Sequence, residues 1–365
     1  MTAASPRAPA PPGAILGSLL GTAVGDALGL PREGLSPRRA ERLFGPTLSH
    51  RFLPGRGMVS DDTEHACLVG QALLASDARP DAFARSLGWR LRGWLLGLPA
   101  GVGLATLRAV LKLWLGFPPQ RSGVRSAGNG PLMRAPLLGV CLGDTPLLRE
   151  TLRASTRITH TDPRAEEGAL VVALAAHHGR TLGPGLDPAA LLATLRAAVE
   201  GEELRRALDL VGEHLRQGSP PEALAGALGQ ARGISGYVNH TVPAVLYCWL
   251  RAPDDFAAAL GAVVRLGGDA DTTGAILGGI AGATLGAEGI PSAWVAGVRE
   301  WPRSVAWLRR LAARLAERFP TPGQALVSRP DLRPVPLFWP GLPVRNALFL
   351  VVVLLHGLRR LLPPY

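Results

Sequence analysis

Two short acidic motifs, roughly two hundred positions apart, carry the side chains best suited to chemistry. The first is S-D-D-T at residues 60–63, where two adjacent carboxylates lie between two hydroxyls at the start of a helix-like pattern. The second is G-G-D-A-D-T-T at residues 267–273, where two carboxylates are followed by two hydroxyls. Carboxylate and hydroxyl oxygens are ligands for Mg²⁺ or Mn²⁺ rather than for zinc. Either motif alone is also typical of an ordinary helix cap.

The chemistry depends on whether the two motifs fold together, because four carboxylates would then share one pocket. Carboxylates at such short distances raise one another's pKa values unless cations compensate their charge. Two divalent ions about 3.5–4 Å apart would do so and could activate a water molecule for hydrolysis. A pocket shared by both motifs therefore predicts a pair of Mg²⁺ or Mn²⁺ ions.

Four further polar segments could line the same pocket, although each also has a plain structural explanation. Glu33 lies seven residues after Asp26, on an expected loop just past a helix, where a solvated side chain is common. The G-N-G turn at residues 128–130 could expose backbone N–H groups to a phosphate, or it could be an ordinary tight turn. His160 and His240 lie in polar turns before helices, where either a structural or a binding role is open.

Helices must position these segments, because strand signals are scarce and apolar spacing near 3.6 residues is common, as in residues 191–211 and 305–318. Glycine recurs at every fourth position at residues 17–29 and again at residues 274–286. Each glycine costs about 1 kcal/mol in a helix interior relative to alanine. Two such stripes therefore predict close backbone contact between helices. We predict an all-α fold.

Length and composition favour a large folded protein with one large domain or about two. The chain has 365 residues, of which 47% are hydrophobic and 18% charged, which is too apolar for a disordered chain. The net charge of +11 comes almost entirely from scattered arginines, so nucleic acid is a less favoured partner than a phosphate-bearing small ligand. Three cysteines far apart show neither zinc spacing nor a disulfide framework, which favours a reducing cytoplasm.

The two ends of the chain differ from its body. Residues 1–12 are rich in alanine and proline, and we expect them to form a flexible tail. Residues 326–365 are expected to form a Pro-rich linker and an apolar C-terminal helix. The uninterrupted apolar run at residues 347–355 is shorter than the about 20 residues that span a bilayer. Packing on the domain or at a partner interface is favoured, and docking on a membrane surface is the less favoured alternative.

Together the motifs resemble the ADP-ribosylglycohydrolase family, which includes the dinitrogenase reductase activating glycohydrolases. The matching pieces, in the family's order, are G-D-A-L-G with Glu33, S-D-D-T, G-N-G-x-L-M-R, T-H-T-D-P-R-A and L-G-G-D-A-D-T-T. The resemblance implies a single, all-α, orthogonally packed multi-helix domain, over residues 13–325, with a dinuclear Mg²⁺ or Mn²⁺ centre. It also implies hydrolysis of the glycosidic bond between ADP-ribose and an acceptor, which is a protein side chain or a small molecule.

The resemblance also implies roles for individual residues, carried over position by position. The implied metal ligands are Ser60, Asp61, Asp62, Asp269, Asp271 and Thr272. The implied catalytic residues are Glu33, Asp62 and Asp271, and the implied substrate-binding residues are Gly128, Asn129, Gly130 and His160.

The sequence departs from the family pattern at two positions. Some members carry an Asp, able to act as general base, in a segment whose equivalent here holds Gly101, and Pro131 stands where the G-N-G loop often continues with Ser. A metal-activated water makes a strong side-chain base less essential. Two other functions stay open. One is a protein that binds ADP-ribose without turnover, and the other is a structural or regulatory protein that docks through its C-terminal helix.

Overall fold

The structure is a computed structural model that describes residues 13–77, 79–320 and 333–363. Within these ranges the chain forms eighteen α-helices and no β-strand beyond isolated bridges, which confirms the all-α fold. The expected tail at residues 1–12 and the expected boundary at residue 325 lie outside the described residues.

The helices follow one another through short turns, several of them rich in glycine and proline. Their bounds are α1 Ala14–Gly29, α2 Pro37–Phe44, α3 Asp61–Ser76, α4 Pro80–Leu96, α5 Leu104–Trp114, α6 Pro119–Ser122, α7 Ala135–Leu142, α8 Pro146–Arg157, α9 Pro163–Leu182, α10 Pro188–Ala197, α11 Glu202–Gln217, α12 Pro221–Ala227, α13 Val238–Arg251, α14 Phe256–Arg265, α15 Ala270–Leu285, α16 Ser292–Gly297, α17 Val305–Arg318 and α18 Gly341–Arg359. Four short 3₁₀ turns join some of them, at Leu30–Arg32, Leu132–Arg134, Gly183–Gly185 and Ala287–Gly289.

The two glycine-striped helices, α1 and α15, pack against each other at the centre of the fold. A Cβ atom added at Gly21 would lie 2.0 Å from the carbonyl oxygen of Gly278, and one added at Gly25 would lie 2.0 Å from that of Gly274. No side chain fits at such distances, so the predicted close approach of two backbones is confirmed. The helices run antiparallel, and the end of α1 therefore lies beside the beginning of α15.

The other helices surround this pair and close the core. Helix α3 packs against α1, α4 and α17, while α9, α13 and α14 pack against α15. Buried aliphatic side chains from nearly all of these helices form one continuous cluster, together with the large side chains of Trp94, Trp249 and Trp307. The central pair thus lies inside the core, and its packing fixes where the ends of both helices lie.

One stretch with helical spacing is interrupted. Residues 191–211 belong to two helices, α10 and α11, with a break between them, whereas residues 305–318 form the single helix α17. At the break, the carboxylate of Glu167 accepts hydrogen bonds from the N–H groups of Glu200 at 3.1 Å and Gly201 at 2.8 Å. A side chain from another helix satisfies the free donors at the start of α11, and local spacing carries no sign of it.

Helix α18 turns its polar side chains toward the protein. Arg345 forms a buried ion pair with Glu300 at 2.7 Å, and Asn346 donates a hydrogen bond to the carbonyl oxygen of Gly97 at 2.7 Å. The outward face is aliphatic, and its exposed large side chains between residues 344 and 358 are Val344, Leu348, Leu350, Val351, Leu354, Leu355 and Leu358.

Two helical segments, residues 14–32 and 341–359, are long and apolar enough to cross a membrane by length and composition alone. A core helix passes the same test, and the first segment, which is 94% buried, is one. The second segment is 33% buried. The expectation that the C-terminal segment is too short counted only the uninterrupted apolar run, whereas the helix that contains it has 19 residues. The helix also includes the residues on either side of that run, such as Arg345 and Asn346, whose polar side chains bond to the rest of the protein.

Candidate active site

The S-D-D-T motif begins helix α3, as its sequence predicts. Ser60 is the N-cap, and its Oγ accepts a hydrogen bond from the N–H of Asp62 at 3.3 Å. The same hydroxyl donates to Asp62 Oδ2 at 3.1 Å. Asp61 lines a cleft, whereas Asp62 lies behind it with only 1% of its surface exposed. The motif therefore supplies one carboxylate at the surface of the cleft and one beneath it.

Asp26, from the G-D-A-L-G motif of α1, holds the start of α3 in place. Its carboxylate accepts hydrogen bonds from the N–H of Ser60 at 2.9 Å, and from the N–H and hydroxyl of Thr63 at 3.1 and 2.6 Å. Complete burial raises the pKa of Asp26 to about 7, and these hydrogen bonds oppose the rise. Motif reasoning assigned Asp26 no role, although the motif that contains it is part of the family resemblance.

The second acidic motif begins helix α15 and meets the first. Thr272 Oγ1 donates a hydrogen bond to Asp62 Oδ2 at 3.1 Å, although the two residues are 210 positions apart. Asp269 is the N-cap of α15, and its Oδ2 accepts a hydrogen bond from Asn129 Nδ2 at 2.6 Å. The antiparallel contact of α1 with α15 makes this meeting possible, because the end of α1 lies beside the start of α15 and Asp26 of α1 holds the start of α3.

These residues open onto one cleft with a volume of about 400 Å³. An acidic part is formed by Glu33, Ser60, Asp61, Asp269, Asp271 and Thr272. A second part is formed by the loop residues Ser126, Gly128, Asn129, Gly130 and His160. An apolar part is formed by Leu30, Ala100, Phe349 and Val353. Every residue to which the family resemblance gives a role thus lies in this cleft or, like Asp62, directly behind it.

Burial and mutual repulsion raise the pKa values of the acidic groups. Desolvation is the main cause for Asp61, Asp62 and Asp271, whose pKa values lie well above the usual range, and neighbouring carboxylates add to it. Desolvation also raises the pKa of Asp269, and that of Glu33 even though Glu33 reaches the solvent at the rim. Such a cluster needs protons or cations to neutralise it.

The donor set fits hard divalent cations. Oδ1 of Asp62 and Oδ1 of Asp271 are buried without a hydrogen-bond partner, and such atoms cost free energy until something satisfies them. The candidate donors are carboxylate and hydroxyl oxygens, which suit Mg²⁺ or Mn²⁺. In the described ranges, no three His, Cys, Asp or Glu side chains are already grouped around a single metal-sized point. Hydroxyl and water oxygens would therefore have to complete each coordination shell.

The G-N-G turn lies in the cleft, but two of its N–H groups already have partners. Gly128 donates to Ser126 Oγ at 3.2 Å, and the backbone of Asn129 donates to the carbonyl oxygen of Gly236 at 2.9 Å. The turn therefore offers a phosphate fewer free donors than its glycines suggest. The side chain of Asn129 instead positions a carboxylate of the acidic part.

His160 lies against this turn with a neutral ring. Burial and the charge of Arg134 lower the pKa of its imidazole to about 3. A Cβ atom at Gly130 would lie 3.0 Å from the ring, so glycine at this position leaves room for it. His240 is not among the residues that line the cleft, and its Nδ1 pairs instead with the hydroxyl of Ser235 at 2.8 Å.

The segment around Gly101 brings no carboxylate to the cleft. Gly101 lines the cleft with a φ of +79° and open space around its Cα. The sequence has no Asp or Glu between Asp81 and Asp144, so no neighbouring acid can take its place. A carboxylate that acts as general base would therefore have to come from the acidic part already described.

The metal-free protein is expected to lose stability as the pH rises. Groups whose pKa is raised by folding stay protonated in the folded state while the unfolded chain ionises, so their contribution is full at low pH and lost on passing the folded pKa. For Asp26 this window runs from 3.8 to about 7. Buried histidines such as His65 and His160, whose pKa values folding lowers, act in the opposite direction, but the carboxyl groups with raised pKa values outnumber them. Thermal unfolding in a chelator should therefore give a lower Tm at about pH 7.5 than at about pH 5, and Mn²⁺ should reverse the loss. A Tm that rises over this range without metal would contradict the prediction.

Comparisons with known proteins agree on one family. The sequence profile of the ADP-ribosylglycohydrolase family matches residues 9–325. The ADP-ribosyl-[dinitrogen reductase] glycohydrolase of Rhodospirillum rubrum is 31% identical over 289 residues, which cover 77% of this chain and 88% of that protein. The ADP-ribosylarginine hydrolase Tri1 of Pseudomonas putida is 29% identical, over 83% of this chain and 78% of its own length.

A human relative and a solved structure extend this agreement. The ADP-ribosylhydrolase ARH3 of Homo sapiens is 28% identical over 49% of this chain and 56% of its own length. A solved structure described as an ADP-ribosylglycohydrolase-related protein complex has 29% sequence identity and a TM-score of 0.65, and the match covers 83% of this chain and 96% of that one. With the motifs, the cleft and these matches in agreement, the chain belongs to the ADP-ribosylglycohydrolase family.

Proposed function

We propose that this protein cleaves the glycosidic bond between ADP-ribose and an acceptor, with the help of two divalent cations, Mg²⁺ or Mn²⁺. Family membership supports the hydrolysis of ADP-ribose linkages. One observation carries the metal part of the proposal. The two acidic motifs meet through Thr272 and Asp62 at 3.1 Å, and buried carboxylate oxygens of Asp62 and Asp271 lack partners there.

The acidic part of the cleft would hold the two ions. Its proposed ligands are Ser60, Asp61, Asp62, Asp269, Asp271 and Thr272. When bound, the ions would neutralise the clustered carboxylates, bind the ribose diol and make a water molecule more acidic. The protein holds the ligands in place from outside this set, because Asp26 fixes the start of α3 and Asn129 fixes Asp269.

The remaining roles follow from position and charge. Glu33 lies at the rim with a raised pKa, so it is suited to take a proton from the attacking water or to pass one to the leaving acceptor. Asp271 in the acidic part and Asp62 directly behind it would stabilise positive charge that develops on the ribose in an oxocarbenium-like transition state. The neutral His160 and the turn beside it would form a polar wall for the ADP-ribose.

A binding protein without turnover is the second candidate. Gly101 favours it, because a member of the family that uses an acid in this segment would lose its general base here. In that case the cleft would hold ADP-ribose and release no acceptor.

The proposed partners are ADP-ribosylated proteins or ADP-ribosyl small molecules. The cytoplasm is the proposed location, and the three buried free cysteines support a reducing compartment. Nucleic acid is not a favoured partner.

The decisive test measures release of ADP-ribose from a panel of arginine-, serine-, nucleic-acid- and metabolite-linked substrates, in a chelator and then with Mg²⁺ or Mn²⁺ added. We expect release from at least one linkage, dependent on metal. Binding of ADP-ribose without release from any linkage would favour the binding protein. Release at full rate in the chelator would contradict the dinuclear centre.

Replacement of Glu33 by glutamine should slow hydrolysis more than it weakens binding. The amide keeps the shape of the side chain but cannot take up a proton, so turnover should fall by about 10²–10⁴-fold. The affinity for free ADP-ribose, measured by calorimetry, should change by less than about tenfold. An equal loss of turnover and affinity would make Glu33 a binding residue only.

A further inference from the structure

Helix α18 contributes an apolar wall to the cleft. Phe349 and Val353 line the cleft and pack with Leu30 and Ala100. The ring of Phe349 also lies 5.0 Å from that of Phe52, so it is held in place from behind. Leu30 belongs to the turn that ends just before Glu33, and the apolar wall therefore adjoins the carboxylate assigned to the bond that is cleaved.

The first half of α18 is bonded to the loop that leads into the S-D-D-T motif. Arg345 is 6% exposed and forms an ion pair with the buried carboxylate of Glu300 at 2.7 Å. It also donates a hydrogen bond to the carbonyl oxygen of Val59, the residue before Ser60. Glu300 in turn accepts the N–H of Val59 at 3.1 Å. This closed set of bonds joins the helix to one side of the acidic part.

Further contacts join α18 to two more loops of the cleft. Asn346 donates to the carbonyl oxygen of Gly97 at 2.7 Å, in the loop that continues to Gly101. The guanidinium of Arg360, just past the helix, donates to the carbonyl oxygen of Pro31 at 3.1 Å, two residues before Glu33. These contacts make the wall a fixed part of the cleft. Arg360 also places a positive charge behind the loop that carries Glu33.

Helix α18 lies beyond the residues that the family profile matches, which end at residue 325. Phe349 and Val353 therefore lie outside the matched residues, whereas Leu30 and Ala100 lie within them.

We propose that Phe349 and Val353 form a subsite for the acceptor and that this subsite takes an uncharged, apolar group, such as an aromatic or aliphatic alcohol. Burial of an apolar group against an apolar wall is favourable. A charged group in the same place would lose its hydration and gain no polar contact in return. The positive charge of Arg360 behind the Glu33 loop would in addition disfavour a guanidinium acceptor. The inference rests on the proposed function, because it takes the bond beside Glu33 as the one that is cleaved.

The test compares Phe349→Ala and Val353→Ala with Leu354→Ala. Leu354 is on the outward face of the same helix and is 58% exposed, so its replacement controls for general effects on α18. The value of kcat/KM is measured for ADP-ribose linked to an aromatic alcohol, to serine and to arginine, together with inhibition by free ADP-ribose. Wild type should prefer the aromatic acceptor. Each cleft variant should lose about tenfold or more on it, with little change on serine and in inhibition by ADP-ribose.

Each other outcome overturns the subsite in a distinguishable way. Equal losses on all three acceptors would make the wall purely structural, and so would the same losses in the Leu354→Ala control. Weaker inhibition by free ADP-ribose in the cleft variants would assign the wall to the adenosine end. If wild type turns over the substrates and the cleft variants rank the three acceptors as wild type does, the subsite would be refuted and the proposed function would stand. No turnover by wild type on any linkage would refute the proposed function and the subsite with it.

Discussion

Replacement of Asp271 by asparagine is expected to reduce turnover by at least about a thousandfold, the upper end of what loss of a single electrostatic group costs an enzyme. Asp271 is 5% exposed, and its Oδ1 has no hydrogen-bond partner. Burial is the main cause of its raised pKa, and the carboxylates of Glu33, Asp269 and Asp62 raise it further. An amide at this position removes a charged ligand from the proposed centre and keeps nearly the same shape.

The same change should leave the fold intact. A neutral amide relieves repulsion among the buried carboxylates, so the Tm in a chelator should be equal to that of wild type or higher. Turnover, Mn²⁺ binding by calorimetry and thermal unfolding separate the two effects. The matched control is Asp144→Asn, which changes an exposed carboxylate in a surface ion pair and should alter each quantity little. Normal turnover of the Asp271 variant would refute the proposed centre, and an unfolded variant would make Asp271 a structural residue.

The second large effect concerns stability. Replacement of Gly21 by alanine is expected to destabilise the fold by about 3 kcal/mol or more, the upper range for overpacking a core. The new Cβ would lie 2.0 Å from the carbonyl oxygen of Gly278, and the neighbouring atoms are backbone that cannot rotate away. Alanine is a better helix former than glycine by about 1 kcal/mol, so helix propensity alone predicts that the variant is more stable than wild type.

A matched glycine tests this reasoning. Gly226 is also helical, in α12, but a Cβ there would meet open space. Gly226→Ala should therefore be neutral or stabilising by up to about 1 kcal/mol. Urea unfolding measures both variants. If Gly21→Ala were as stable as Gly226→Ala, the close contact of α1 with α15 would be wrong, and with it the meeting of the two acidic motifs.

Replacement of Gly21 by alanine should also lower turnover. The antiparallel contact places Asp26 and Glu33 beside the start of α15, so even a small separation of the helices would move the proposed ligands apart. Displacement by about 1 Å is enough to lower a rate by about a hundredfold. Loss of activity is thus expected at temperatures where the variant is still folded.

Much of this arrangement is readable in local patterns. The spacing of apolar residues predicts the helices, and glycine at every fourth position predicts that two of them touch. The motifs at residues 60–63 and 267–273 predict their own place at helix starts, because a cap involves only residues within one turn. The patterns that carry these predictions each lie among near neighbours in the chain.

Other features arose only when distant segments packed together. Thr272 reaches Asp62 across 210 positions, and Asp26 holds a helix whose N-cap lies 34 residues later. Glu167 interrupts a stretch with unbroken helical spacing, and Phe349 enters the cleft from a helix that carries no motif. Residue spacing describes which side chains share a helix face, whereas these contacts depend on how whole helices cross. The way the helices cross depends on the packing of the whole core, which no single motif determines.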